Sequence, residues 1–180
     1  MKFGLIHYNQ PDLETFDAFL EFAATSGFDA IELWPEDYWP EGEDQPEKGA
    51  ESVRRQVEAA GLSICAMTAA NDFVYLDEDN VAREVTRMER VSGLAKILGT
   101  SVLRTEGGRP KDSVPAERHV EAMAECLKRC LPFAERDQMT LAVDNHGLIT
   151  NDADLQVRLL EAVGSPWVQA TLDTMNYRWA

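Results

Sequence analysis

The sequence is short of cysteine, of basic residues and of long apolar runs, and each shortage closes a class of function. Cysteine occurs three times, at Cys65, Cys126 and Cys130. An odd number without ligand-like spacing supplies neither a disulfide framework nor a zinc finger. Cys126 and Cys130 sit four apart on one helical face and Cys65 inside a strand, so all three read as reduced core thiols, a usage that points to the cytoplasm. Lys and Arg total 17 against 32 acids, for a net charge of −15. That field repels phosphate backbones and anionic lipid, which removes nucleic acid and membrane surfaces as expected partners. Small anions stay admissible, because one metal ion or arginine reverses the sign locally. No stretch approaches the ~18 apolar residues of a membrane span. The opening Met-Lys-Phe-Gly-Leu-Ile-His enters a strand directly, without the pattern of a signal peptide. P-loop, nucleophile-elbow and nucleic-acid motifs are missing as well.

What is present is an ordinary globular composition, 44% hydrophobic and 27% charged over 180 residues, enough for one sizeable core and expected to form a single domain over 1–180. Short apolar runs rich in β-branched and aromatic residues alternate with longer amphipathic stretches, the pattern of βα units around a parallel sheet. Strands are predicted at 3–7, 28–33, 62–67, 101–105, 139–144 and 167–173, and helices at 12–26, 50–60, 81–98, 115–136 and 152–163. Gly27, Gly61 and Gly99 close the first three helices. Asp79 or Asn80 is expected to cap the third helix and Asp112 or Ser113 the fourth, while Pro132 should kink the fourth or split off its last turn. Residues 34–48, with three prolines, and 68–79 read as long loops.

Each unit takes about 30 residues, the spacing of an eight-fold (β/α)₈ TIM barrel of ~250 residues, so the expected fold is α/β with the first six βα units of such a barrel. An open doubly wound sheet is the alternative. It commonly carries a glycine-rich turn after its first strand, where this chain has Ile-His-Tyr-Asn-Gln-Pro.

Catalytic residues of barrels come from the C-terminal tips of several strands. Here those tips hold His7, Glu32, Arg104, Asp144 with His146, and Asp173 with Asn176. Asp144 and Asp173 end apolar strands and are hard oxygen donors suited to Mg²⁺, Mn²⁺ or, with imidazole, Zn²⁺. Asp144 could instead cap its turn through Asn145 and Gly147 and pair with Arg104. His146 is placed to shuttle a proton or contact substrate. Glu32 points opposite to Ile31 and Leu33, hence toward a barrel interior, where a buried carboxylate needs a partner. Arg104 can grip a hydroxyl or phosphate through its planar fork, or pair with Glu32. His7 resembles His146 in position. His119, among Arg118 and Glu121 in an amphipathic helix, reads as a solvated face residue. Trp34, Tyr38, Trp39, Phe73 and Tyr75 fall in the two long loops, where aromatic faces grip sugars or hold loops down.

Phe-Asp-Ala-Ile-Glu32-Leu-Trp, Leu-Arg104-Thr-Glu-Gly-Gly, Leu-Ala-Val-Asp144-Asn-His146-Gly and Leu-Asp173-Thr-Met-Asn176, taken in order, resemble the xylose-isomerase-like barrels, the sugar phosphate isomerases and epimerases, a group that also includes inosose dehydratases and endonuclease IV. The resemblance covers essentially the whole chain. It implies a divalent metal (Mn²⁺, Mg²⁺ or Zn²⁺) held by acids of strands five and six, matched by Asp144 and Asp173, with a histidine and a glutamate from two later strands that lie beyond Ala180. It implies proton transfer next to the carbonyl of a ketose or related polyol, with Asp144 as one of the acids that trade the proton; from their places at the strand tips, His146 is expected to join in catalysis and His7, Glu32, Arg104 and Asn176 to contact substrate. Asp144 stands where the family usually has glutamate. Asn176 replaces the histidine of endonuclease IV members, which argues against a multi-zinc nuclease. With half the ligand set, the expectation for these 180 residues alone is weak metal retention and loss of that activity. Alternatives are an inosose-dehydratase-like lyase and a non-catalytic partial barrel. In either case the open strand edges predict a homo-oligomer that covers them.

Overall fold

The computed structural model describes residues 1–8, 13 and 15–179, with the side chain of Trp179 excepted. The expected helix start at residue 12 and part of the turn after the first strand lie outside the described residues. Six strands, β1 (Gly4–Ile6), β2 (Ala30–Leu33), β3 (Ser63–Thr68), β4 (Val102–Thr105), β5 (Thr140–Asp144) and β6 (Val168–Thr171), follow one another in the sheet in sequence order. The pairs β1–β2, β2–β3 and β5–β6 are parallel. Between them come helices α1 (Phe16–Thr25), α2 (Pro35–Tyr38), α3 (Pro46–Ala59), α4 (Glu78–Leu98), α5 (His119–Asp137) and α6 (Ala153–Val163). This is the βα alternation of a TIM-type barrel in six units, as the sequence predicts. Among the described residues no helix is long and apolar enough to cross a membrane.

The chain divides into two compact units, residues 1–68 with 93–102 and residues 69–92 with 103–180, so that α4 contributes its last turns to the first and the rest to the second. In the first unit, α1 is capped by Thr15, whose hydroxyl accepts from the Ala18 N–H at 3.2 Å, and buries Phe19, Leu20 and Ala23. On β2, Ile31 and Leu33 are fully buried, and Glu32 between them projects to the other face. In the second unit, Leu141, Ala142, Val143 and Asp144 of β5 are all buried, and α5 turns Ala122, Met123, Leu127 and Cys130 inward.

A repeated device turns helix into strand. After α1, α3 and α4 the chain passes through Gly27, Gly61 and Gly99 at φ near +80°. The next residue's N–H reaches back to a helical carbonyl at 3.1 Å: Phe28 to Ala23, Leu62 to Val57, Thr100 to Ala95. Gln138 does the same after α5 at φ +53°, with Met139 N–H on the Ala134 carbonyl at 2.8 Å. A glutamine held in that conformation has no signature in the sequence.

Several predicted details are corrected. Residues 34–48 contain the one-turn α2 and the start of α3, because Pro35 and Pro46 sit at first-turn positions, where a missing N–H costs nothing. The cap of α4 is Asp77, whose Oδ1 accepts the Asn80 N–H at 2.9 Å, rather than Asp79 or Asn80. Neither Asp112 nor Ser113 caps the fourth predicted helix, which opens with a 3₁₀ turn at Ala116–Arg118 and no side-chain cap. Helix α5 continues through Pro132 to Asp137 without splitting. His119 is 8% exposed, a buried residue and not a solvated one. β6 ends at Thr171, so Asp173 stands in the turn beyond its strand and not at its last position.

Candidate functional site

The acids that the sequence singles out lie in the second unit, at the C-terminal end of β5 and β6. Register places Asp144 opposite Thr171, so Asp173 follows two residues past the edge of the ladder. Asp144 is 2% exposed. Its Oδ2 accepts from Arg104 Nη1 at 2.6 Å, and its Oδ1 is buried with no hydrogen-bond partner among the described residues. A carboxylate taken from water is strongly unfavourable unless compensated, and the guanidinium from β4 is the partner that compensates Asp144. The orphaned Oδ1 is the half of the carboxylate that the fold does not use.

Asp173 shows the same division. Its Oδ1 takes the backbone N–H groups of Met175 and Asn176 at 2.8 and 3.3 Å. Its Oδ2 has no hydrogen bond from a described residue. The backbone of Asp173 is fixed by Asn145, a fully buried residue. Asn145 Nδ2 donates to the Asp173 carbonyl at 2.8 Å, and its Oδ1 accepts the Asp173 N–H at 2.7 Å. A side-chain amide thus continues the β5–β6 ladder where the strand backbones diverge. Asn71 repeats the motif, donating to the Glu106 carbonyl at 2.6 Å and accepting the Glu106 N–H at 2.9 Å. Both asparagines follow a strand end, which reads in sequence as ordinary turn chemistry; only their burial reveals the clamp.

Asn176 and His146 approach each other, Asn176 Nδ2 to His146 Nδ1 at 3.4 Å, a long contact. His146 is exposed, and its carbonyl accepts from the Thr150 hydroxyl at 2.8 Å. Below this turn, Tyr177 OH donates to Gln156 Oε1, and Gln156 Nε2 donates to the Val143 carbonyl at 2.9 Å. That chain ties the segment after Asp173 to β5. The loop after β4 packs closely on the loop after β3: Phe73 N–H reaches the Gly107 carbonyl at 3.1 Å, and a Cβ on Gly108 (φ +118°) would lie 2.2 Å from Asp72 Oδ1. Lys111 bonds both oxygens of Asp72 at 2.7 Å and lies over the Tyr75 ring.

The first unit holds the other predicted tips. Glu32 accepts from the Thr68 hydroxyl at 2.8 Å, and Tyr38 OH donates to the Thr68 carbonyl at 2.6 Å, which makes Tyr38 a core anchor. His7 Nδ1 lies 2.6 Å from Asp37 Oδ1. Burial raises the Asp37 carboxyl above its ordinary 3.8, opposed by its bonds from His7 and from the Trp34 N–H. Asp37 had no mark in the sequence beyond its place in an acidic loop.

Two carboxylates with one oxygen fixed and one left over have the donor chemistry for a hard divalent ion. Among the described residues, however, no three Asp, Glu, His or Cys side chains come together as a ligand set. Asp144 and Asp173 therefore fit as two contributors to a coordination shell that needs about four to six donors.

A search of curated protein sequences finds no match. Solved structures share the fold. The chain superposes on IolI protein with a bound zinc atom at TM-score 0.81 and 17% identity, covering 98% of this chain and 64% of that one. For a D-psicose 3-epimerase crystallised with D-fructose the values are 0.78, 19%, 99% and 65%. For the probable 3-DHS dehydratase AsbF of Bacillus anthracis they are 0.70, 19%, 98% and 64%. The chain thus spans just under two thirds of the length of each of these three structures. A family model described as "Xylose isomerase-like TIM barrel" matches residues 20–180, and the chain belongs to that family.

Proposed function

We propose that this chain carries the strand-five and strand-six acids of a metal-dependent isomerase or epimerase of a ketose, a ketose phosphate or a related polyol. The single observation that supports the reading is the buried Asp144 with an unpartnered Oδ1, beside an Asp173 whose backbone is clamped by a buried amide. A fold that wanted only a salt bridge would satisfy both oxygens. Asp144 and Asp173 would be the ligands from this chain to a Mn²⁺, Mg²⁺ or Zn²⁺ ion, which when bound supplies Lewis-acid polarisation of a carbonyl oxygen.

The chain's own residues do the rest. Arg104 orients the Asp144 carboxylate through Oδ2, and Asp144 would be the acid that accepts the proton from the carbon next to the carbonyl. Asn145 fixes where Asp173 can reach. His146 and Asn176, on the turns after the two strands, would hold hydroxyls or pass the proton on, and His7, Glu32 and Arg104 are the other substrate contacts proposed. A cytoplasmic setting and self-association through the outer edges of β1 and β6 belong to the same reading. Near those edges Phe3, Leu172 and Met175 are 55%, 69% and 52% exposed. Light scattering showing a monodisperse monomer would count against the association.

The test is incubation of the full chain with D-fructose and Mn²⁺ in D₂O, read by NMR. Deuterium entering the sugar next to its carbonyl, and not entering with Asp144→Asn, is the expected result. Water loss in place of exchange would assign the lyase reading, and neither product would overturn the proposal of catalysis by this chain.

A further inference from the structure

In the unit formed by residues 1–68 and 93–102, His7, Tyr8, Trp34, Glu36 and Asp37 line a cavity of about 330 Å³. Two of its residues are coupled by a short bond, His7 Nδ1 to Asp37 Oδ1 at 2.6 Å. Asp37 is nearly buried, its side chain 6% exposed, and its second oxygen accepts the Trp34 N–H at 2.8 Å. The Trp34 amide can only donate, so Oδ2 is committed as an acceptor. An ionised carboxylate has nothing but acceptors to offer, so the proton in the His7 contact belongs to Nδ1. A neutral imidazole then keeps its lone pair at Nε2.

Nε2 has no hydrogen-bond partner among the described residues. The ring cannot swing to find one easily, because it stacks on Phe19 at 4.4 Å and lies 5.7 Å from Phe16. Tyr8 and Trp34 form a second ring pair, also 4.4 Å apart. The cavity therefore offers one oriented acceptor, aromatic surface, and an additional carboxylate at Glu36 that disfavours anions. A small uncharged molecule with hydroxyl donors and C–H faces suits all three features.

We propose that Asp37 is a positioning residue that fixes the His7 tautomer, so that His7 Nε2 accepts a hydroxyl of a small polyol held against Tyr8 and Trp34. The polyol class rests on the function proposed above; the tautomer does not. The same logic of carboxylate, imidazole and fixed proton sets the base in hydrolytic triads, where replacing the acid by its amide yields the wrong tautomer.

The experiment is long-range ¹H–¹⁵N NMR of the full chain with ¹⁵N-labelled histidine at mildly alkaline pH, with His7→Gln to assign the signal. The wild-type ring is expected as Nδ1–H. In Asp37→Asn the single amide oxygen is claimed by the Trp34 N–H, the NH₂ donates to Nδ1, and the ring should switch to Nε2–H with the rest of the amide spectrum unchanged. D-Fructose should shift the Trp34 indole signal in the wild type, and its affinity should fall about three- to tenfold in the variant. An Nε2–H ring in the wild type, or an unchanged tautomer in Asp37→Asn, overturns the proposal whether or not fructose binds. A tautomer that switches while fructose leaves Trp34 untouched supports the role of Asp37 and overturns the sugar assignment alone.

Discussion

Replacing Asn145 by alanine tests how the second acid is held. Asn145 is completely buried and makes two hydrogen bonds, at 2.7 and 2.8 Å, to the two backbone polar groups of Asp173. Each such bond is worth about 1 kcal/mol net, and each partner left unsatisfied away from water adds a further penalty. Asp173 is only half-buried, so water recovers part of that penalty, and the expected loss is about 2–3 kcal/mol. With a urea m-value of about 2 kcal/mol/M the unfolding midpoint should fall by ~1–1.5 M. Asn145→Asp separates the clamp from mere packing. It keeps an acceptor for the Asp173 N–H but sets a carboxylate oxygen against the Asp173 carbonyl and a second charge beside Asp144, so near neutral pH it should lose more stability than the alanine variant. An alanine variant within about 0.5 kcal/mol of wild type would show that the clamp does not hold Asp173, since no other described residue donates to its carbonyl.

Three further outcomes follow from the same structure. Arg104→Met leaves the buried Asp144 charge without its guanidinium and should cost about 3–5 kcal/mol in chemical denaturation, most of it restored in the double variant Arg104→Met/Asp144→Leu; a single-variant loss under about 1 kcal/mol contradicts the pairing. Because burial raises the Asp37 carboxyl above 3.8, the folded state binds that proton more tightly than the unfolded one. The contribution of Asp37 is then most favourable below 3.8 and declines as pH rises through its elevated folded value. Wild-type stability relative to Asp37→Asn should fall across that window in a pH series, and a rise would reverse the assignment. Desolvation pushes the Cys126 thiol up to about 12 and the Cys130 thiol upward as well; it also raises the Cys65 thiol, but of the three only Cys65 is exposed to reagent. Iodoacetamide at neutral pH should therefore mark Cys65 alone in the native protein and all three thiols in urea, read by mass spectrometry.

The repeating βα order was legible because a strand buried on both faces leaves a continuous apolar run, and an amphipathic helix leaves a 3.6-residue stripe. Three of the helix-to-strand turns were legible through Gly27, Gly61 and Gly99, whereas Gln138, which adopts the same left-handed conformation after α5, was not. Asp144 stood out because a carboxylate at the end of Leu-Ala-Val has no place in a core, and its pairing with Arg104 was one of the two readings that its position allowed. The clamp residues Asn71 and Asn145 were hidden, since asparagine after a strand is common turn chemistry and its burial is a tertiary fact. His119 was misread for a related reason: its neighbours Arg118 and Glu121 are solvated, but the residue itself faces inward. The partnership of His7 and Asp37 links positions 30 apart, which no periodicity reports.

If Asp144 and Asp173 are ligands to one divalent ion, paramagnetic broadening by Mn²⁺ detects it even at low affinity. Titration of the ¹⁵N-labelled chain should broaden the amide signals around Asp144 and Asp173 first, and Asp144→Asn or Asp173→Asn should abolish that localisation. Broadening scattered over the acidic surface, or centred on the two strand ends but unchanged in both variants, would rule out a shared ion.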